Sequence, residues 1–173
     1  MQNRDRLINT AALVVRIASW LNRLFLAAVV IGLLLSLALP RQFIAALFQP
    51  GPNADVASLL AGGRLEILIG IAGGAITLWL LAALAQIIAS ARAGDPFVAA
   101  NARHLRTIGW ALLALQLLDI PAALLGRFYP ALGSAAPSSS ISVGGWIAVL
   151  MVFVLSRIFA AGAVMRDELE GTI

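Results

Sequence analysis

A run of twenty-five uncharged residues, from Ile67 to Ala91, constrains this chain more than any other feature. As a helix it would extend about 37 Å, at about 1.5 Å per residue. The hydrocarbon core of a bilayer is about 30 Å thick, so about 20 apolar residues suffice to cross it. The run therefore predicts a membrane-spanning helix that is tilted or protrudes from the bilayer.

Three other segments have the length and apolar character of spanning helices. We predict an all-α fold: a single membrane domain, 1–173, built as an integral membrane bundle of four transmembrane helices. The last helix is expected to continue beyond its span into the cytoplasm. The predicted spans are 20–39, 67–91, 107–125 and 141–158, followed by a cytoplasmic tail, 159–173.

The residues before the first span predict an N-terminal juxtamembrane helical extension, because their apolar side chains recur at nearly helical spacing. The extension would begin along the inner membrane surface and then bend or run into the span. A cleaved signal peptide is the alternative, since Ser36-Leu37-Ala38 has a small-residue pattern. Signal peptides have a short basic start, however, and here more than twenty residues precede the apolar run.

The first outer loop predicts a short amphipathic helix on the outer membrane face. Asn53 or Asp55 is placed to cap this helix, which would run through Leu60. Gly62 and Gly63 would end it.

The arginines orient the spans, because positive residues accumulate on the cytoplasmic side of short loops. Nine of them predict that both termini and the central loop lie in the cytoplasm, in a bacterial inner (cytoplasmic) membrane. Only three lie in the other two loops. The nine are Arg4, Arg6, Arg16, Arg23, Arg92, Arg103, Arg106, Arg157 and Arg166, and the three are Arg41, Arg64 and Arg127.

Composition excludes several kinds of chemistry. Charged residues make up 12% of the chain, against about 25% in soluble domains, which is too few for a water-facing surface. With no Cys and a single His, a Cys-based zinc or iron–sulfur site is excluded, and so is a haem held by two His of one chain. We expect no cofactor. The arginines form no continuous basic patch, so direct nucleic-acid binding is not expected.

The central loop carries the clearest local pattern, Gly94-Asp95-Pro96-Phe97. Gly94 suits a left-handed helix end, Asp95 suits a helix cap and Pro96 suits the first helical position. One interpretation is a helix–helix corner just inside the membrane. The other is a docking corner for a cytoplasmic partner, formed by Asp95, Phe97, Asn101, Arg103 and Arg106.

Asp119 lies about 20 Å along a helix from Arg106, inside the third span. A carboxylate at that depth is costly and is a functional candidate by default. With Gln116 and Gln86 it supplies the polar groups that a proton or cation path would need. The alternatives are a hydrogen bond to Gln116, pairing with an outer arginine, or the N-cap of a short outer helix, with the third span ending early.

Gly70 and Gly74 form a GxxxG pattern that allows close helix approach in lipid. Packing against another span of the same chain is one interpretation, and homodimerisation is the alternative. At the other end, Phe159, Glu168 and Glu170 lie in what is either a solvated helix end or a short cytoplasmic handle that binds a partner.

Two stretches carry a family resemblance. They are Gly94-Asp95-Pro96-Phe97 with Asn101, Leu105-Arg106 and Ile108-Gly109, and the later series Phe159, Gly162, Met165, Glu168, Glu170 and Thr172-Ile173. In them the chain resembles the bacterial "domain of unknown function 2975" family of small four-span membrane proteins. Gly171 departs from the usual ending, where a larger residue is common. The family has no assigned activity, so the resemblance supplies no catalytic residue. Its members are often encoded beside a small helix-turn-helix regulator, which implies a transcriptional regulator as cytoplasmic partner.

Two functions follow as expectations. The first is a non-enzymatic sensor, anchor or signalling component that binds a cytoplasmic partner such as that regulator. The second is a small oligomeric transporter or channel. An intramembrane enzyme is ranked last, because the sequence has no nucleophile–base pair, no HExxH motif and no paired intramembrane carboxylates.

Overall fold

The computed structural model describes residues 2–48, 55–94, 98–136 and 142–170, with side chains omitted at 2–5, 134–135, 167 and 169–170. Within these residues the chain is helical and has no strand. Five α-helices and one 3₁₀ helix follow one another along the chain. They are α1 (Gln2–Ala38), α2 (Pro40–Leu47), α3 (Val56–Arg92), α4 (Ala99–Phe128), the 3₁₀ helix (Pro130–Ala135) and α5 (Val143–Glu170).

Four of these helices are long and apolar enough to cross a membrane. The helical stretches that contain these candidate spans have 33 residues in α1, 37 in α3, 30 in α4 and 24 in α5. At about 1.5 Å per residue, even the shortest exceeds the hydrocarbon thickness of about 30 Å. Helices suit this setting because their backbone hydrogen bonds are satisfied internally. The predicted multi-pass, all-α fold is confirmed.

The predicted N-terminal extension is part of α1 itself. The helix runs without interruption from Gln2 to Ala38. It has no proline, and its one glycine, Gly32, lies inside the span rather than near its start. Sharp bends need such residues or a bulge, and the helix shows none. The extension and the span are therefore one continuous helix.

The prediction for the first outer loop is wrong about where the short helix lies. That helix is α2, which begins at Pro40, where a missing N–H costs nothing. Asp55 does cap a helix, since its Oδ1 accepts hydrogen bonds from the N–H groups of Ala57 and Ser58 at 3.1 Å. The helix it caps is α3, however, which continues through Gly62 and Gly63 to Arg92.

Packing explains why the two glycines do not end the helix. A Cβ atom at Gly62 would lie 2.9 Å from Leu132 Cδ1 and 3.0 Å from Tyr129 Cβ, and one at Gly63 would lie 3.2 Å from the Phe48 ring. Because glycine has no side chain, these neighbouring residues can pack directly against the α3 backbone. Gly62 and Gly63 are therefore points of close approach within α3.

The helix of the third span continues through the predicted range 107–125, so the alternative in which it ends early at Asp119 is excluded. Asp119 lies inside α4, which continues past Pro121 to Phe128. A proline inside a helix removes one backbone hydrogen bond, at a cost of about 3 kcal/mol. The residues after it are nevertheless packed, with Ala122 and Leu125 buried. Their contacts offset that cost, so Asp119 is not an N-cap.

The chain forms two compact units. The terminal unit comprises Met1–Leu21, Ile76–Ala114 and Ser142–Ile173, and the loop unit comprises Asn22–Ala75 and Leu115–Ile141. Helices α1, α3 and α4 each contribute to both units. The loop unit is organised around a cluster of four buried side chains, Ile44, Leu59, Leu125 and Leu132. In the terminal unit, the Trp110 and Phe153 rings meet edge to face at 5.4 Å, and Gly109 lies against the same Phe153 ring.

Candidate functional site

The corner between α3 and α4, in the terminal unit, is the region with the clearest local sequence pattern. Gly94 follows the last turn of α3 with a φ of 84°, which is the left-handed conformation predicted for it. Its N–H donates to the carbonyl of Ala91 at 3.3 Å. Val98 is not helical, and α4 begins at Ala99. The predicted roles of Asp95, Pro96 and Phe97 lie outside the described residues.

Asn101 links α4 to α3 beside this corner. Its side chain is 1% exposed, and its Nδ2 donates to Ser90 Oγ at 2.6 Å. Ser90 Oγ donates in turn to the carbonyl of Ile87 at 2.8 Å. These bonds tie the first turn of α4 to the last turns of α3. Because Asn101 is buried, it does not contact a partner directly, and the prediction that it does is corrected to a positioning role.

Arg103 and Arg106 lie on the surface of α4, immediately after this buried amide. Both side chains are exposed, and their spacing of three places them on one face of the helix. On α3, Arg92 is exposed too, and its Nη2 donates to Asn9 Oδ1 of α1 at 2.9 Å. The terminal unit therefore presents guanidinium groups from two helices, α3 and α4, on either side of the corner.

The end of α5 contributes a different kind of surface. Phe159 is half-buried and Glu168 is exposed, whereas the side chain of Glu170 lies outside the described residues. Val164 and Met165, between them, are 57% and 60% exposed. The helix thus carries large apolar side chains as well as charge on the surface of its last turns.

The predicted intramembrane polar residues are not gathered in one unit. Asp119 and Gln116 are half-buried on α4 in the loop unit. Gln86 is exposed on α3 in the terminal unit. Among the described residues, no group of three or more His, Cys, Asp or Glu side chains could hold a metal ion.

Gly70 and Gly74 face α1 of the same chain. A Cβ at Gly74 would lie 2.6 Å from Leu26 Cδ2, and one at Gly70 would lie 3.8 Å from Val29. Asn22 adds a polar contact here, because its Nδ2 donates to the carbonyl of Gly74 at 2.8 Å. The glycine face is thus occupied within the chain, which favours the intrachain interpretation of the GxxxG pattern.

Arg64 forms a contact that the sequence did not indicate. Its Nη2 donates to the Ser36 carbonyl at 2.6 Å, and its Nε donates to Ser36 Oγ at 3.4 Å. Ser36 is fully buried in the last turn of α1, where backbone carbonyls lack helical partners. A guanidinium at a helix C-terminus also complements the helix dipole. In the sequence, Arg64 is an arginine beside an apolar run. That pattern does not identify a hydrogen-bond partner 28 residues away.

Comparison with known families places these features in context. Residues 54–173 match the family model described as "Protein of unknown function (DUF2975)". This chain belongs to the DUF2975 family. No curated protein and no solved structure matches it significantly.

The DUF2975 match covers α3, α4 and α5 and leaves α1 and α2 outside it. Both stretches that carried the resemblance, the central loop and the end of α5, lie within the matched region. Arg64 and the glycine face of α3 do so as well, but their partners on α1 do not. The match to DUF2975 therefore rests on three of the described α-helices, α3, α4 and α5.

Proposed function

We propose that this protein is a non-enzymatic membrane signalling component, a sensor or anchor that binds a cytoplasmic partner through its terminal unit. The partner is a transcriptional regulator of the helix-turn-helix type, which the family resemblance implies. The observation that carries the proposal is the surface of α5 beyond the bilayer. About 20 residues from Val143 suffice to cross the hydrocarbon, yet the helix continues to Glu170.

The exposed side chains on that projecting part support a protein partner. Val164 and Met165 are more than half exposed, and in an upright α5 that enters the hydrocarbon at Val143 they lie just beyond its inner edge. Apolar groups exposed outside the membrane mark interaction sites when they occur together. Protein interfaces are enriched in Met and Arg, and the same unit exposes Arg103 and Arg106. A mixed apolar and basic surface suits a partner with an acidic rim.

The distribution of arginine supports an orientation in which the two termini and the corner between α3 and α4 face the cytoplasm of a bacterial inner membrane. Eight of the twelve arginines belong to the terminal unit and four to the loop unit. The excess of positive charge is expected on the cytoplasmic side. Both termini would then face the cytoplasm, on the side where a DNA-binding partner is found.

Co-purification tests the proposed partner. The solubilised protein should retain the helix-turn-helix protein encoded beside it. The double change Arg103→Gln, Arg106→Gln should weaken retention about tenfold, because two charged contacts together contribute more than about 1.4 kcal/mol. Arg127→Gln is the matched control, since Arg127 is exposed on the same helix but belongs to the loop unit.

A second matched pair tests the apolar part of the surface. Met165 and Met151 are 60% and 66% exposed on the same helix, but only Met165 lies beyond the proposed span. Met165→Ala should weaken retention and Met151→Ala should not. If the wild-type protein holds no regulator, or if the Arg103, Arg106 and Met165 variants retain it fully, the proposal is wrong.

Sidedness has its own test, because the chain contains no native cysteine. Ala99 and Ala131 are both exposed, one at the start of α4 and the other in the 3₁₀ helix. In intact cells, an impermeant maleimide should label Ala131→Cys but label Ala99→Cys only after permeabilisation. Labelling of Ala99→Cys from outside contradicts the proposed orientation.

The transporter or channel function remains a second proposal, supported by the half-buried Asp119 inside α4. A carboxylate in a membrane helix is a candidate for proton or cation binding. Proteoliposome flux that is abolished by Asp119→Asn and unaffected by Gln86→Leu would favour it. Flux that is absent from the wild-type protein, or indifferent to Asp119→Asn, rejects a role for this carboxylate.

A further inference from the structure

Glu66 is a carboxyl of α3 in the loop unit, immediately before the uncharged run that begins at Ile67. It therefore lies at the edge of that run rather than within it. Its side chain is half-buried, and a buried charge is costly unless it is paired. Yet no hydrogen bond or ion pair joins Glu66 to another residue that the structure describes. The contacts around this carboxyl therefore decide which of its two charge states the fold accommodates.

The two helix neighbours on the N-terminal side of Glu66 are in close contact with other elements. On a helix, residues three and four positions apart are neighbours, and here these are Gly63 and Gly62. A Cβ atom at Gly62 would meet Leu132 of the 3₁₀ helix, and one at Gly63 would meet Phe48, which follows α2. Both connections of the loop unit therefore pack against α3 within one helical turn of Glu66.

The two helix neighbours on the C-terminal side of Glu66 are packed as well. Ile69 packs against the buried cluster to which Leu125 of α4 belongs. A Cβ atom at Gly70 would lie 3.8 Å from Cγ1 of Val29 on α1. Glu66 thus lies in the middle of the surface through which α3 contacts α1, α4 and the two connections. Three of its four neighbours are glycines, so they add no side chain that could pair with the carboxyl.

The charged side chains of the loop unit do not compensate Glu66. Arg64 lies two residues away, and residues two apart do not face each other on a helix. Its guanidinium donates to Ser36 instead. Asp119 carries a carboxyl of its own, which disfavours rather than favours a second negative charge. The titratable or charged residues on the elements around Glu66 are Arg23 on α1, Arg41 on α2, Asp55 and Arg64 on α3, Asp119 and Arg127 on α4, and Tyr129 after α4.

Burial sets the acidity of this group. It raises the pKa of the Glu66 carboxyl, and no neighbouring charge contributes to the shift. Removing a carboxylate from water disfavours its charged form, whereas an opposite charge nearby would favour it. The neutral form of Glu66 therefore suits the packed surface of α3 better than the ionised form does.

We propose that Glu66 is a proton-binding site that couples the packing of the loop unit to pH. The protonated side chain fits between the neighbouring elements without a cation. The ionised side chain must keep its water, and that water competes with the contacts of Leu132 and Phe48 beside it. The two connections therefore pack tightly against α3 in acid and loosen as the pH rises. The proposal concerns the loop unit alone, so it is independent of the cytoplasmic partner and of the orientation in the membrane.

Thermal unfolding of the full-length, detergent-solubilised protein tests this coupling. A carboxyl that holds its proton more tightly in the folded state contributes stability that is complete below its unfolded pKa, about 4.3. That stability is lost as the pH rises through the folded pKa. From about pH 4 to about pH 8, the melting temperature of the wild-type protein should therefore fall by about 2–4 °C more than that of Glu66→Gln.

Asp55→Asn is the matched control, because Asp55 is an exposed carboxyl at the start of the same helix and asparagine caps a helix about as well as aspartate. This variant should keep the wild-type loss of stability at high pH. Equal pH dependence in the wild-type protein and Glu66→Gln overturns the proposal. So does a pH dependence that Asp55→Asn removes and Glu66→Gln keeps.

Cysteine labelling measures the loosening of the connections directly, since the chain has no native cysteine. Leu132, against Gly62, is 3% exposed, whereas the adjacent Ala131 is exposed. The ratio of maleimide labelling at Leu132→Cys to labelling at Ala131→Cys corrects for the effect of pH on thiol reactivity. From about pH 6 to about pH 8, this ratio should rise severalfold when Glu66 is present and stay constant when Glu66→Gln is added. A ratio that does not change with pH, or that rises equally in both backgrounds, contradicts proton binding at Glu66.

Discussion

The arginine contact described in the loop unit is part-buried, whereas the arginine contact described in the terminal unit lies at the exposed surface. In the loop unit, Arg64 donates to the buried Ser36, and Asn22 donates to the backbone of Gly74. In the terminal unit, Arg103 and Arg106 are exposed and Arg92 meets Asn9 at the surface. Both units draw on α1, α3 and α4, so the helices themselves do not cause the difference.

The two units also differ in the segments that connect their helices. The loop unit contains α2 and the 3₁₀ helix, and side chains from both connections, Ile44 and Leu132, complete its buried cluster. In the terminal unit, Arg92, Arg103 and Arg106 on either side of the corner at Gly94 are exposed. The connections of the loop unit therefore complete a core, whereas these arginines of the terminal unit stay at the surface.

The largest expected effect concerns the buried cluster of the loop unit. Leu125 is 4% exposed and Leu124, its neighbour, is 38% exposed. Leu125→Ala should lower the free energy of unfolding by about 2–5 kcal/mol, because it leaves a cavity. Leu124→Ala should change it by no more than about 0.5 kcal/mol. Thermal unfolding of the detergent-solubilised protein, followed by circular dichroism, measures both, and equal losses would remove the basis for calling this cluster a core.

The next effect tests the contact between α3 and α1 in the same unit. Gly74→Ala brings a Cβ against Leu26, which costs about 1–3 kcal/mol in overpacking. Gly32→Ala meets no atom within 4 Å, so it should raise stability by up to about 1 kcal/mol through helix propensity. Opposite shifts in melting temperature are expected. Shifts of the same sign would mean that α1 does not lie against Gly74.

A smaller effect compares one arginine from each unit. Arg64→Leu leaves the buried Ser36 groups without their donor, which should cost about 1–3 kcal/mol. Arg92→Leu removes a bond at the exposed surface, so the change should stay within about 0.5 kcal/mol. Urea titration of the solubilised protein distinguishes them. A loss at Arg92 as large as that at Arg64 would erase the contrast between the units.

The double variant at Arg103 and Arg106 should have the smallest effect on stability and the largest effect on partner binding. Arg103→Gln with Arg106→Gln should change the free energy of unfolding by less than about 0.5 kcal/mol per site, since both side chains are exposed. The same variant should lose most of its partner in co-purification. A variant that unfolds easily would show that these arginines hold the unit together, and its loss of binding would then carry no weight.

Much of the fold was predictable because crossing a membrane depends on local properties. An uncharged run such as Ile67–Ala91 has the length and composition that a spanning helix needs, whatever surrounds it. The positive φ of Gly94 was predictable for the same reason, since a left-handed helix end favours glycine. The helix ends were less predictable. Gly62, Gly63 and Pro121 are local breaking signals, and packing overrides all three.

The site was predictable in its residue types but not in their placement. Arg103 and Arg106 were expected on one face of a helix, and they are exposed there. Asn101 was expected on the same surface and is instead buried against Ser90. A polar residue at a helix start suits either position. Asn101 is buried because α3 places Ser90 beside it.

The sequence by itself determined that this chain is a helical, multi-pass membrane protein, since the length of an uncharged run and the positions of its arginines need no tertiary information. Its membership of the DUF2975 family is likewise a property of the sequence. The tertiary structure decided which polar groups meet. It paired Arg64 with Ser36, turned Asn101 inward and placed Gly74 against Leu26. These outcomes join residues far apart in the chain, and their energies depend on burial and contact, which no local pattern encodes.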